Sequence, residues 1–327
     1  MSIRVQLLRL LEDNEDGYVS GGYLAKKLSV SRNAVWKAVE TLRADGYDIA
    51  AVTNKGYRLG ESGDILSEAG IIRYIKTDGI FSVEARKSVT STNTILRELA
   101  SKGAPEGFVL AAEEQTAGKG RMGRGFHSPA CHGVYFSLLL RPGAHTGDAT
   151  LITSAAAVAA AQAIEEVTGV RVGVKWVNDL FLGDKKVCGI LTEAAFSMES
   201  GTIESAVLGI GINITRPEEG FPGTLKEVAT SLAERAIGKD NERNRLIAAT
   251  LDNFWGYYKD LNSRRFLDEY RARSIILGKE IYVVSGDVKK TALALEIDND
   301  CGLIVRYANG ETTTLSSGEV SIRQVES

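Results

Sequence analysis

The sequence predicts an α+β protein built from three consecutive parts, each with its own pattern. Three short helical patterns and a hairpin signal occupy about the first 60 residues, which indicates a winged helix-turn-helix. Strand patterns joined by short turns surround an alanine-rich helix in the middle, which indicates a central mixed, mostly antiparallel sheet with helices. Short alternating runs between glycines fill the end, which indicates a small β-barrel. We expect domains at 1–62, 63–273 and 274–327.

The composition is that of an ordinary globular protein, with 44% hydrophobic and 25% charged residues among 327. A net charge of −3 provides no global attraction to nucleic acid, so DNA binding requires a local basic patch. No apolar run has membrane-spanning length and the N-terminus lacks a signal-peptide pattern, so we expect a cytoplasmic protein without a membrane partner. Scattered cysteines agree with a reducing compartment. They are Cys131, Cys188 and Cys301.

The first part begins with IRVQLLRLLED, a short amphipathic helix. Ser20 is a candidate N-cap for the second helix, and Ser31 caps the third, RNAVWKAVETLRADG, which should end at Gly46. The alternating segment around TNKG then predicts a β-hairpin. Helices and hairpin together predict a winged helix-turn-helix.

The third helix carries the local charge that DNA binding requires. Between Lys26 and Arg43 the chain has five basic residues and one acid. The alternative is a solvated face on a small domain that binds protein. The helix-turn-helix spacing and the hairpin agree with each other and favour DNA. The candidate DNA contacts are Ser31, Arg32, Asn33, Trp36 and Lys37, with Lys55 in the wing.

In the second part, GKGRMGR (118–124) contains Gly-x-Gly-x-x-Gly, a pattern found in dinucleotide-binding turns. Such a turn needs a strand before it and a helix opening directly after it. GFVLAAEE supplies the strand, but Pro129 and Gly133 follow, and then VYFSLLLRP, a second strand pattern. The missing helix argues against a dinucleotide site, and these residues alone leave open how the loop holds a phosphate.

The remaining elements follow in order. Residues 148–169 form an alanine-rich helix that ends at Gly169, and 170–196 read as three strands joined by two short turns. Residues 202–215 are a further buried strand. In the third part, TALALEI, GLIVRY and TTTLSS are strands separated by glycine-containing turns.

Four motifs together resemble the biotin protein ligase family. They are STN (91–93), AEEQTAGKGRMGR (112–124), VKWVNDLFLGDKKVCGILTE (174–193) and GIGINI (209–214). The helix-turn-helix in front is similar to that of the bifunctional members, which also repress the biotin operon. The resemblance covers essentially the whole chain and implies a class II synthetase-like central domain and a small SH3-like β-barrel at the C-terminal end.

The resemblance implies a two-step reaction and a regulatory role. Biotin and ATP, with Mg²⁺, give biotinyl-5′-AMP, and biotin then passes to a lysine of a biotin carboxyl carrier protein. The adenylate is also the corepressor, and the family forms a homodimer on binding it, which then binds operator DNA. The sequence does not identify the metal ligands.

By resemblance, a specific set of residues carries the chemistry. The catalytic residues are Arg121, Lys186 and Asp179. The biotin-binding residues are Ser91, Thr92, Asn93, Gln115, Gly118, Lys119, Arg121, Lys186 and Gly189. The ATP- and adenylate-binding residues are Arg121, Arg124, Phe126, Asn178, Lys186 and Asn213. Lys185, next to Lys186, is expected to be solvated.

The chemistry explains why the loop is basic and glycine-rich. Biotin's carboxylate must attack the α-phosphate of ATP, and positive groups must neutralise the charge that grows in the transition state. Glycines let the backbone approach and close over the ligand. We therefore interpret GKGRMGR as a basic lid over the biotin and phosphate region.

The chain departs from the family pattern at three positions. Lys119 stands where Arg is usual, Val177 replaces a Pro, and Phe126 replaces a Trp beside the adenine. A bidentate contact at Lys119 is therefore in question. Asn178 and Asp179 have an alternative role as turn formers.

Two other functions fit parts of the sequence. A DNA-binding biotin sensor that has lost catalysis needs no ATP machinery, so intact Arg121, Lys186 and Asn213 argue against it. A lipoate-type ligase has a related fold, but the STN motif and Gln115 suit the ureido ring of biotin.

Overall fold

The computed structural model describes most of the chain, and the α+β class predicted above is confirmed. The described residues are 2–14, 17–60, 65–142, 148–196, 202–232, 242–285, 288–316 and 318–322. The expected boundary between residues 62 and 63 lies outside them. All three cysteines are free. Among the described residues, no helix is both long and apolar enough to cross a bilayer.

The N-terminal part is three helices followed by an antiparallel hairpin. The elements are α1 (Ile3–Glu12), α2 (Gly21–Lys27), α3 (Arg32–Asp45), β1 (Ile49–Val52) and β2 (Gly56–Leu59). The Ser20 hydroxyl accepts a hydrogen bond from the Tyr23 amide at 3.1 Å, and Ser31 caps α3 in the same way. Gly46, at φ 110°, ends α3 in the left-handed conformation that favours glycine. The predicted winged helix-turn-helix is confirmed.

The central part is a seven-stranded sheet with helices. Its helices are α4 (Glu68–Tyr74), α5 (Thr92–Ser101), α6 (Asp148–Thr168), α7 (Leu225–Val228), α8 (Glu242–Tyr258) and α9 (Leu267–Ala272). Its strands are β3 (Ser82–Val89), β4 (Phe108–Gln115), β5 (Gly133–Leu140), β6 (Gly173–Lys175), β7 (Asp179–Leu182), β8 (Lys185–Phe196) and β9 (Ile203–Asn213). The strand order is β3-β4-β5-β9-β8-β7-β6. Among the strands described, β3 and β4 are the one parallel pair and are joined through α5, so the prediction of a mostly antiparallel sheet is confirmed.

Helix α6 packs against the sheet and α8 in the centre of the main core. Its alanines between Ala155 and Ala161 are fully buried. Because alanine adds little side-chain volume, α6 can approach its neighbours closely on several sides. This explains why an alanine-rich segment lies in the core.

The C-terminal part is a five-stranded antiparallel sheet. Its strands are β10 (Glu280–Ser285), β11 (Val288–Ile297), β12 (Leu303–Tyr307), β13 (Thr312–Leu315) and β14 (Glu319–Ile322), in the order β13-β12-β11-β10-β14. The three predicted strands are β11, β12 and β13. The Trp176 indole donates a hydrogen bond to the Cys301 carbonyl at 2.8 Å, so Trp176 joins the central part to this sheet.

Helix α4 belongs to two cores at once. Ala69 is in the apolar cluster of the N-terminal part, whereas Ile71 is in the main cluster. The Ser67 hydroxyl, which caps α4, lies 2.8 Å from the Tyr47 hydroxyl of the N-terminal part. The Ser67 amide donates to Asn244 Oδ1 of α8 at 3.3 Å. The α4 helix therefore connects the helix-turn-helix to the central part through side-chain contacts as well as through the covalent chain.

Candidate functional site

Two clefts adjoin on the central part. The first lies between the start of α5, the loop 116–128 and strands β8 and β9. The second extends from that loop towards α7 and the C-terminal sheet. Both clefts are lined by Gly120, Arg121, Phe126, Asn178 and Lys186. A ligand group at this junction therefore meets two cationic side chains.

The glycine-rich loop folds back on itself as a hairpin. The Phe126 amide donates to the Gly118 carbonyl at 2.8 Å, and the Gly120 amide donates to the Arg124 carbonyl at 2.7 Å. A single 3-10 turn over Arg121–Gly123 forms the tip. Met122 lies at this tip with 71% of its surface exposed. No helix opens from the loop, so it is not a dinucleotide-binding turn.

Arg121 reaches from the tip of the hairpin into the junction of the clefts. Its guanidinium donates to Asn178 Oδ1 at 2.9 Å and to the Gly318 carbonyl at 3.1 Å. The Gly318 carbonyl belongs to the C-terminal part. The loop, the sheet and the C-terminal part therefore meet at one side chain.

Lys186 and Asp179 form an ion pair at the same junction. Lys186 Nζ lies 2.7 Å from Asp179 Oδ1, and both side chains are partly buried. The Asn178 amide donates to the same Asp179 oxygen at 3.0 Å and to the Ile190 carbonyl at 2.9 Å. Lys185 points elsewhere, towards the Lys226 carbonyl at 3.4 Å on the surface. Of the two adjacent lysines, only Lys186 faces the clefts.

Neutral polar groups line the inner end of the first cleft. Ser91 caps α5, and the Thr92 amide that follows donates to Gln115 Oε1 at 2.9 Å. Gln115 Nε2 donates to the Ser128 hydroxyl at 2.9 Å, which donates in turn to the Phe126 carbonyl at 3.1 Å. These side chains are almost fully satisfied by one another, so their orientations are fixed before any ligand arrives.

Glycines on β8 and β9 form the floor beneath Phe126. Gly189 and Gly211 are register partners, and a Cβ on Gly211 would lie 2.5 Å from the Phe126 ring. A Cβ on Gly189 would lie 3.1 Å from the same ring. Position 211 therefore requires glycine for space, whereas a Cβ at position 189 would only make a tight contact with the ring; neither glycine has a positive φ.

The second cleft also carries aromatic and amide groups. Phe126 packs edge-on against Tyr135 with ring centroids 6.3 Å apart. The Asn213 amide donates to the Thr230 carbonyl at 2.9 Å. Burial, followed by the nearby His132, lowers the pKa of His127 below its usual value. The His127 ring is therefore neutral near pH 7, and Arg124 and Lys175 are additional cations of the lining.

The structure brings the predicted site residues together with one exception. Every residue expected to contact biotin lines the first cleft except Gly118. Every residue expected to contact ATP or the adenylate lines the second, as does Asp179. Gly118 lies at the base of the hairpin, where a Cβ would overlap the Phe126 carbonyl. The peptide Trp176–Val177, at the position of the family's proline, is cis.

Sequence reasoning missed several lining residues. The first cleft also includes Gly120, Ile190, Leu191, Gly209, Ile210 and Gly211. The GIGINI motif contained three of them, but alternation with isoleucine is also the pattern of a buried strand. The second cleft includes Phe221 and Val228, which no motif contains.

The residues expected to contact DNA are all exposed. Ser31 caps α3, and the solvent-exposed face of this helix carries Arg32, Asn33, Trp36 and Lys37. Trp36 is 51% exposed, which is unusual for a side chain of this size. Lys55 is exposed in the turn between β1 and β2. The predicted contacts are thus accessible to a partner.

Within the described ranges, no cluster of three or more His, Cys, Asp or Glu side chains is arranged to hold a metal ion. Asp179 is the one carboxylate among the described residues that line the second cleft. A metal at this site would therefore depend on ligands that a substrate brings.

Comparisons with known proteins agree with the geometry. Residues 85–213 match the model of the Biotin/lipoate A/B protein ligase family, 4–58 match an HTH domain and 276–323 match the Biotin protein ligase C terminal domain.

Two curated relatives and one solved structure are similar over most of their length. The bifunctional ligase/repressor BirA of Bacillus subtilis is 39% identical over 81% of both chains. That of Escherichia coli is 31% identical over 97% of this chain and 98% of its own. The biotin protein ligase from Aquifex aeolicus in complex with biotin and ATP is 27% identical, with a TM-score of 0.61, and covers 75% of this chain and 99% of its own.

Proposed function

The chain belongs to the biotin protein ligase family, and from that premise we propose the function of its two clefts and its DNA-binding face. The protein is an AMP-forming biotin ligase and a DNA-binding repressor. It activates biotin with ATP to biotinyl-5′-AMP and transfers biotin to a lysine of a biotin carboxyl carrier protein. The same chain represses biotin genes through its helix-turn-helix. We assign the reaction to the cytoplasm, where ATP is present and free cysteines persist.

The observation that carries the proposal is the meeting of the two clefts at Arg121 and Lys186. Biotin occupies the first cleft, with its ureido ring at the neutral groups around Thr92 and Gln115. ATP occupies the second, with its adenine beside Phe126 and Asn213. Biotin's carboxylate and the α-phosphate then meet at the junction, where the chain supplies positive charge.

At this junction Lys186 bridges the two anions. Its ammonium neutralises the charge that develops as the carboxylate attacks phosphorus, which is the electrostatic role expected of a cation in phosphoryl transfer. Asp179, 2.7 Å from Lys186 Nζ, orients the ammonium. Asn178 orients Asp179 by its 3.0 Å hydrogen bond.

Arg121 holds the product of this step. The hairpin tip places its guanidinium over the junction, so closure of the hairpin covers the mixed anhydride and excludes water. Lys119 contributes a single charge in place of the fork that an arginine offers. Arg124, further along the hairpin, meets the outer phosphates of ATP.

Mg²⁺ fits this site as a companion of the nucleotide. Magnesium in nucleotide sites is commonly held by phosphates and one or two carboxylates, and Asp179 supplies a carboxylate to the second cleft. When bound, the ion neutralises phosphate charge and fixes the geometry of the phosphates.

The repressor function uses a homodimer on palindromic operator DNA. A single winged helix offers few phosphate contacts, so two are needed for tight binding at physiological salt. Arg32, Asn33 and Lys37 read the site, and Lys55 contacts the backbone. The adenylate favours the dimer, so it strengthens DNA binding by linkage.

One experiment tests the ligase directly. The protein is incubated with biotin, ATP and Mg²⁺, and the mixture is analysed for biotinyl-5′-AMP and pyrophosphate. Adenylate that stays with the protein, and biotin that moves to a carrier added later, support the proposal. No adenylate from correctly folded protein would refute it. Binding to an operator selected from a random DNA pool, with and without biotin and ATP, tests the repressor function.

A further inference from the structure

Ser137 is a fully buried hydroxyl on β5, behind the first cleft. Its oxygen lies 2.7 Å from Thr92 Oγ1 and 2.6 Å from Asn93 Oδ1. A serine hydroxyl has one proton, so it can donate to only one of these two oxygens. Which one it chooses determines the role of the Thr92 hydroxyl.

The orientation of the Asn93 amide determines which oxygen receives the Ser137 proton. Asn93 Nδ2 donates to Glu193 Oε2 at 2.9 Å and to the Leu191 carbonyl at 3.3 Å, and both of these oxygens can only accept. The amide oxygen of Asn93 therefore points at Ser137 and must receive a proton. The single proton of Ser137 goes to Asn93 Oδ1.

The Thr92 hydroxyl must then donate to Ser137. Gln115 is oriented independently, because its Nε2 donates to Ser128, whose own proton is used by the Phe126 carbonyl. Gln115 Oε1 consequently faces the Thr92 amide at 2.9 Å and the Thr92 hydroxyl at 3.1 Å. Since the Thr92 proton points away towards Ser137, Gln115 Oε1 keeps a lone pair that this proton would otherwise occupy.

Gly209 makes room for this arrangement. It is the register partner of Ser137 on β9, and a Cβ there would overlap Asn93 Oδ1. The amide can approach Ser137 only because position 209 has no side chain. This requirement is steric, since Gly209 does not have a positive φ.

We propose that Ser137 is a positioning residue for substrate recognition: it draws the Thr92 proton away from Gln115, so that Thr92 and Gln115 both present hydrogen-bond acceptors to the first cleft. Two neighbouring acceptors suit the N–H groups of a cyclic urea. The inference rests on the proposed function, which assigns the biotin ring to this cleft. Ser137 acts through Thr92 and does not touch the substrate.

The test is a double-mutant cycle on adenylate formation. In S137A the Thr92 proton turns to Gln115 and removes an acceptor, so the KM for biotin should rise roughly tenfold, the scale of one hydrogen bond. The kcat and the KM for ATP should stay within about twofold, because neither depends on the ureido contacts. T92V should also raise the KM for biotin. Adding S137A to T92V should change it no further, because no hydroxyl proton remains to be directed.

The matched control is T250V, which removes another buried hydroxyl, in α8, outside both clefts. It should lower the melting temperature without changing the KM for biotin. Additive effects of S137A and T92V, or a loss in S137A shared equally by the two KM values, would overturn the inference. Wild-type protein that makes no adenylate would instead refute the proposed function, so the two failures are distinguishable.

Discussion

Replacing Lys186 by alanine is expected to slow adenylate formation about a thousandfold. Lys186 lines both clefts, and its ammonium is 2.7 Å from Asp179 Oδ1. The change therefore removes a positive charge at the point where a carboxylate and a phosphate must meet. It also leaves Asp179 without its partner.

The magnitude has two parts. Loss of one preorganised group that stabilises transition-state charge costs about 100- to 1000-fold in rate. The unpaired Asp179 then repels both substrates. Two unit charges 4 Å apart interact by about 4 kcal/mol near a protein surface, so we take the upper end of the range.

The assay is the initial rate of pyrophosphate release with biotin, ATP and Mg²⁺ and no carrier. The matched control is K185A, since Lys185 is the neighbouring lysine whose ammonium lies at the surface beside the Lys226 carbonyl. K185A should retain the wild-type rate within about twofold. Equal rates in K185A and K186A, whether fast or slow, would contradict the role given to Lys186.

Three further predictions use separate readouts. R121G removes the contacts of Arg121 to Asn178 and Gly318, so the variant should release the adenylate. The released adenylate should label bystander proteins with biotin in a mixed extract. Labelling confined to the carrier would contradict this. K37A should lose operator binding in a gel-shift titration yet transfer biotin at the wild-type rate, because the exposed Lys37 lines neither cleft. A parallel loss of transfer would argue against separate sites. In G211A the new Cβ should displace the Phe126 ring, so the KM for ATP, measured by pyrophosphate release, should rise more than tenfold. An unchanged KM would place the adenine elsewhere.

Local signals predicted the helix-turn-helix well, because its boundaries depend on single residues. Ser31 and Gly46 mark the two ends of α3 by their capping chemistry alone. Helix α8 was not predicted, because its start carries Glu242 and Arg243, which read as surface residues but are buried. Such burial depends on partners from distant parts of the chain. Arg243, for example, pairs with Glu113 on β4.

In the candidate site, too, residues with local sequence signals could be predicted and residues that depend on distant contacts could not. Residues in contiguous motifs, such as Lys186 and Arg121, could be named from the sequence because the family resemblance is carried by those motifs. Ser137 could not, since it lies within an apolar strand pattern and nothing local distinguishes it. The role proposed for Ser137 depends on the strand register that pairs it with Gly209. It also depends on the start of α5, which places Asn93 within hydrogen-bonding distance.

The sharing of α4 between two cores bears on how such a protein could lose its regulatory half. Deleting the chain up to about residue 62 would remove the partners of Ala69 and the Tyr47 hydroxyl beside Ser67. In the remaining ligase, apolar side chains of α4 would become exposed to solvent, and such a surface is prone to self-association. A shortened descendant that works as a ligase alone therefore needs compensating polar substitutions on this helix.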